Sequence, residues 1–264
     1  RRQRQMCIRD RIVAWTGWMS RDKPAGLNKW IIFTLLHNYP SARNIELPYC
    51  IPSGSCYNSR MTYTTTRQPS AATLARMSAV RVEAEARFRA LLLTAGPESI
   101  RLARNWYSEA GTFACTLAVR NNWTLEVAAS VVSAFSPRVT WVLNKRKALQ
   151  YSYGNRPAGL RSALETADRC MSEGFNGLRG PKTNAFARAI AGDQNAVVID
   201  IWMCRAAGLT YGPKSKYAGQ AKDAPSAVEY RAIAAAVRLM ADSWNMPAAD
   251  MQALLWILAR GKAE

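Results

Sequence analysis

Between Ala71 and Arg260, apolar residues return at three- and four-residue intervals, and Gly96-Pro97, Ser136-Pro137, Gly180-Pro181 and Met246-Pro247 cut the pattern into short pieces. That period specifies helices, and proline marks their limits: it suits a first helical turn and disfavours helix at the residue before it. Val197-Val198-Ile199 is the only run of three apolar β-branched residues, and three residues do not make a sheet. The expected class is all-α, a bundle of short helices without an internal repeat.

The pattern predicts helices over 71–95, 97–120, 125–135, 138–151, 159–173, 181–191, 200–207, 226–244 and 248–260. Ile100, Ala103, Tyr107, Ala110 and Ala114 share one face of the second, and Val127, Val131 and Phe135 one face of the third, which Thr124 and Glu126 cap.

Residues 1–60 differ in kind. They mix Trp15, Trp18 and Trp30 with Pro40, Pro48 and Pro52, carry Cys7, Cys50 and Cys56, and show no sustained period. Arg1 to Arg11 resembles a translated sequencing adapter, which makes 1–60 a leader foreign to the domain. Residues 61–70 are then a polar lead-in and 71–264 a single helical domain, with Met61 or Met77 as the natural start. The competing reading of the leader is a basic arm that grips nucleic acid.

The chain carries a net charge of +18. Residues 1–60 hold ten Lys and Arg against three Asp and Glu, so 26 against 15 remain beyond them and the domain is basic on its own. Such a surplus favours polyanions through phosphate contacts and counterion release. Plain solubility is the alternative. No apolar run reaches the roughly 18 residues of a membrane span, so no membrane partner is expected. Cys115, Cys170 and Cys204 stand singly in apolar or helical contexts and read as reduced, buried residues, which points to the cytoplasm.

Catalytic side chains are few. The sole histidine, His37, lies in the leader, so the domain has no His for a triad or a zinc site. A G-x-x-x-x-G-K-[ST] loop is missing, so no nucleotide cofactor is expected. Chemistry falls to carboxylates, lysines and backbone groups.

Three segments stand out. In Ser133 to Ala148 an apolar helix meets a Ser-Pro break and then a basic helix. It reads either as a solvated corner, or as a pocket wall of Ser136, Trp141 and Asn144 with Arg138, Lys145, Arg146 and Lys147 against phosphates. Leu178 to Ala185 places Gly180, Lys182 and Thr183 where a helix begins, either as an ordinary turn or as an anion-binding one. In Val197 to Arg205, Asp200 opens a helix among Val, Ile and Trp. It is either an N-cap or a carboxylate set in an apolar, reactive place.

Taken in order, these segments resemble the helix-hairpin-helix DNA glycosylase superfamily of the endonuclease-III type. Gly180, Lys182-Thr183 and Ala185 resemble its hairpin, Ile199-Asp200 with Arg205 its Val-Asp segment, and Trp256 to Lys262 its last helix, over about residues 124–264. Lys182 and Asp200 stand 18 positions apart, as the family's lysine and aspartate typically do. The stretch from 97 to 264 also resembles an uncharacterised phage family in Trp106-Tyr107, Gln252, Trp256 and Arg260. The chain departs from the glycosylases in four ways. Its hairpin is one residue short with Pro181 in place of a glycine, Trp202 stands where they have histidine, the chain from Asn144 to Lys182 is shorter, and no four-cysteine cluster follows.

The resemblance implies a reduced glycosylase fold that acts as a monomer on DNA without metal or cofactor, in the cytoplasm of a bacterial host and carried by a phage. Asp200 and Lys182 would be its catalytic residues. Ser136, Trp141, Asn144, Trp202 and Arg205 would hold a flipped base, and Arg138, Lys145, Arg146, Lys147, Gly180 and Thr183 the phosphates. A non-catalytic phage DNA-binding protein and a basic helical interaction module are the alternatives.

Overall fold

The computed structural model describes residues 69–261; the expectations for the leader and most of the lead-in lie outside them. The described chain is all-α. Its helices are α1 (Ala71–Leu92), α2 (Pro97–Asn121), α3 (Leu125–Ala134), α4 (Trp141–Ser152), α5 (Arg161–Glu173), α6 (Pro181–Ile190), α7 (Ile201–Ala206), α8 (Ala227–Ser243) and α9 (Ala248–Arg260), with a 3-10 turn at Gly174–Gly177. Among the described residues there is no strand, only an isolated antiparallel bridge between Thr210 and Ala221. No helix among them is long and apolar enough to cross a membrane.

Local chemistry sets the helix ends. Pro97 opens α2, and the Ser99 hydroxyl accepts the Gly96 N–H at 3.0 Å. Thr124 accepts from Val127 N at 3.2 Å and starts α3. Its expected partner Glu126 instead accepts the Phe175 N–H at 2.8 Å and ties α3 to the 3-10 turn. The helix expected from Arg138 begins three residues later, at Trp141. Arg138 takes a left-handed φ of 61°, and Thr140 is the true cap.

Packing follows the apolar faces. α1 lies along α8, α9 packs on α2, α7 and α8, and α3 packs on α5 and α6. Ala103, Tyr107, Ala110 and Ala114 are buried on α2, as their spacing predicts. Every residue of α3 from Ala128 to Ala134 is buried, so that helix runs through the core instead of lying on it. α2 meets the end of α6 so closely that a Cβ at Gly111 would stand 2.9 Å from the Ile190 carbonyl oxygen. Cys170 and Cys204 are buried as expected, but Cys115 is exposed, because it falls between the buried positions Ala114 and Leu117 of α2.

Candidate functional site

Where α2, α4, α6, α7 and α9 converge they leave a cleft of about 670 Å³. Its walls are aromatic. The Trp106 ring lies 5.5 Å from Trp141, 5.8 Å from Phe186 and 6.0 Å from Trp256, centroid to centroid. Helical spacing explains the convergence on α9, where Gln252, Trp256 and Arg260 recur every four residues and so face the cleft together.

Asp200 lines this cleft and also caps α7. Its Oδ1 accepts the N–H groups of Trp202 at 2.9 Å and Met203 at 3.0 Å, and its Oδ2 accepts the Trp256 Nε1–H at 3.0 Å. Asp200 is therefore a cap that also faces a cavity. The buried run Val197 to Ile199 brings the chain to that point through the core, not as a strand.

Lys182 lines the same cleft from the first turn of α6 and has no carboxylate partner among the described residues. The turn before it is held from inside. Buried Asn184 donates to the Phe175 carbonyl at 2.8 Å, and the Ser133 hydroxyl donates to the Thr183 carbonyl at 2.7 Å. Tyr230 of α8 joins the two sides. Its hydroxyl donates to the Val197 carbonyl at 2.8 Å, with the Pro181 carbonyl 3.4 Å from the same oxygen.

The structure gathers Ser136, Arg138, Trp141, Asn144 and Trp202 at this cleft with Asp200 and Lys182. The remaining expected residues lie elsewhere. Lys145 sits over the Trp141 ring at 5.4 Å, Arg146 is exposed, and Lys147 donates to the Ala158 carbonyl at 2.5 Å beside a smaller groove of about 280 Å³. Arg205 lies over Trp202 at 4.9 Å, as Arg260 does at 5.8 Å. Gly180 has an ordinary φ of −84°, and the Thr183 hydroxyl donates to its carbonyl at 3.1 Å. The turn therefore has no need of a glycine's left-handed freedom.

Several lining residues were not among the expected site residues. Trp106, Tyr107, Gln252, Trp256 and Arg260 had drawn notice as features of the phage resemblance, Tyr107 also as part of an apolar helix face and Trp256 and Arg260 as part of the glycosylase-like last helix, and Phe186 not at all. The signal for them was the pairing of aromatic or amide residues with buried faces of α2, α6 and α9. Three buried polar atoms of the cleft's residues lack a partner: Ser136 Oγ, Asn144 Oδ1 and Arg260 Nε. Orphaned polar groups of this kind usually answer to an ordered water or a ligand.

A single family profile spans residues 70–263, that of DUF7178, a family of unknown function. The chain belongs to DUF7178. Its match runs from the cap of α1 past the end of α9, so the cleft and all its walls lie inside the family's domain. No curated protein and no solved structure matches the chain. Among the described residues of this DUF7178 domain, no three His, Cys, Asp or Glu side chains gather as a metal site would require.

Proposed function

We propose that this DUF7178 domain binds DNA, takes into its cleft a base turned out of the duplex, and cleaves the N-glycosidic bond with Asp200 as the key carboxylate. One observation carries the proposal: Asp200 and Lys182 line a single aromatic-walled cleft in a strongly basic chain. A flipped base loses its stacking neighbours, and indole walls replace them. The same two residues are those that resemble the lysine and aspartate of the helix-hairpin-helix glycosylases.

Bond cleavage sends the C1′–N electron pair off with the base and leaves positive charge on the sugar. A fixed carboxylate stabilises that charge. Three N–H donors already occupy Asp200, which favours this electrostatic role over proton removal. Water then adds its oxygen to C1′ and its proton passes to solvent, while the departing base takes up a proton. If the neutral Lys182 amine attacks C1′ instead, the new N–C1′ bond replaces the bond to the base, the amine's proton passes to solvent, and breaking of C1′–O4′ with a proton taken up at O4′ opens the sugar to a Schiff base. Arg138 and Arg260 at the cleft, with Arg146 outside it, would meet phosphates. A phage-borne protein working in the cytoplasm of a bacterial host fits this function.

The test uses duplexes carrying hydroxymethylated, glycosylated or deaminated bases. Wild-type protein is expected to release one of them, and Asp200→Asn to release it at least about 100-fold more slowly while still binding the duplex. Borohydride trapping that depends on Lys182 distinguishes the amine route. A second possibility, a DNA-binding protein without catalysis, is favoured by the cap geometry of Asp200. Salt-dependent binding with no excision of any base would establish it. No salt-dependent binding at all would mark a protein-interaction module.

A further inference from the structure

Gln252 is 3% exposed and lines the cleft from α9. A carboxamide can present either its oxygen or its nitrogen, and here a neighbour decides which. The Tyr107 hydroxyl donates to Gln252 Oε1 at 2.5 Å, a length suited to O–H···O and short for N–H···O. Burial, reinforced by Tyr230, Asp200 and Asp250, pushes the Tyr107 phenol well above its ordinary pKa, so it keeps its proton and stays a donor. With Oε1 taken, Nε2 and its two N–H groups are the end left for an occupant of the cleft.

The other polar groups of the cleft, the Asn144 oxygen apart, point the same way. Lys182, Arg138 and Arg260 are donors only, and the one lining carboxylate, Asp200, already accepts three N–H bonds. Asn144, 2% exposed at the cleft, is the exception: its Oδ1 has no partner and calls for a single donor on whatever is bound there. The indole walls admit a flat ring. Donors in excess call for an occupant rich in acceptors.

We propose that Gln252 Nε2 reads a ring carbonyl, so that the cleft prefers oxo-bearing bases, of the oxopurine or pyrimidinedione type, over bases that carry an amino group in its place. The preference rests on the function proposed above only in taking the occupant to be a base. 2′-Deoxyinosine and 2′-deoxyadenosine share one ring system and differ at C6 by a carbonyl against an amino group and, with it, at N1 by an N–H against a bare acceptor, which makes them the probes. Titrated against the full chain by tryptophan fluorescence, deoxyinosine is expected to bind at least about ten-fold more tightly, the worth of one well-placed hydrogen bond.

Gln252→Glu replaces the donor end by an acceptor while leaving an oxygen for Tyr107, and the preference is expected to vanish or reverse. Tyr107→Phe deletes only the hydroxyl that orients the amide, so it covers the case in which the first variant does not fold; it is expected to narrow the discrimination. Equal affinity of wild type for the two nucleosides, tighter deoxyadenosine binding, no binding of either at about millimolar concentration, or a preference untouched in a folded variant overturns the proposal. Excision is a separate readout. A protein that releases no base yet prefers deoxyinosine ends the enzyme proposal alone, and one that releases amino and oxo bases equally ends this one alone.

Discussion

The indole Nε1–H of Trp256 donates to Asp200 Oδ2 at 3.0 Å, joining residues 56 positions apart and tying the start of α7 to the middle of α9. Trp256→Phe keeps an aromatic wall but leaves that oxygen short of a donor. The expected cost is about 1–2 kcal/mol, read as a lowered urea midpoint. If Asp200 acts on the sugar, excision falls further than stability accounts for. A variant as stable and as active as wild type would show the bond to be incidental.

Arg138 holds a left-handed φ of 61° at the edge of the cleft, a conformation that suits glycine better. Arg138→Gly is expected to raise stability by about 0.5–1 kcal/mol and to weaken duplex binding with a shallower salt dependence. Thermal unfolding and binding at several salt concentrations read the two effects separately. A fall in stability would mean that the arginine side chain contributes more than its backbone costs.

Glu229 is 2% exposed and receives Arg76 at 2.6 Å and Lys222 at 2.9 Å. Burial pushes its carboxyl up, but the Ser226 amide, Lys222 and Arg76 outweigh burial and hold the pKa at about 2, against an ordinary 4.5. A carboxyl depressed in the folded state contributes stability above pH 4.5 that is lost as pH falls toward 2. Glu229→Gln should therefore be about 2–3 kcal/mol less stable than wild type at pH 7, with the gap closing across that window in denaturant titrations.

Asp250, in the first turn of α9, shifts the other way. Burial, only partly offset by Arg104, raises its carboxyl from 3.8 to about 6. The folded state then binds more protons between those values, and stability drops as pH rises through them. Asp250→Asn is expected to match wild type below pH 3.8 and to exceed it by about 1 kcal/mol above pH 6. The helix N-terminus, which favours the negative charge, keeps the gain small. An unchanged pH profile would place the carboxyl in water.

The limits of α9 were legible to the residue, because Pro247 precedes it and Gly261 follows it with a left-handed φ of 71°. The start of α4 was not. Pro137 signals a break, but nothing local says that Arg138 turns left-handed, so three residues read as helix that are loop. The same displacement explains the basic segment. Asn144 and Ala148 define the buried face of α4, and Lys145, Arg146 and Lys147 stand off it. That Asp200 and Lys182 stand at the starts of helices was readable from local pattern. Gln252 was not, since its orientation depends on Tyr107, 145 positions away.

Tyr230 gives the cleft a fixed gauge. Its phenol oxygen touches the chain on both sides, at Pro181 next to the amine and at Val197 ahead of the carboxylate, yet α8 contributes nothing to the lining. The segments that carry Lys182 and Asp200 are thus tied together from behind the wall. Enlarging or tightening the opening need not touch any residue a ligand would meet.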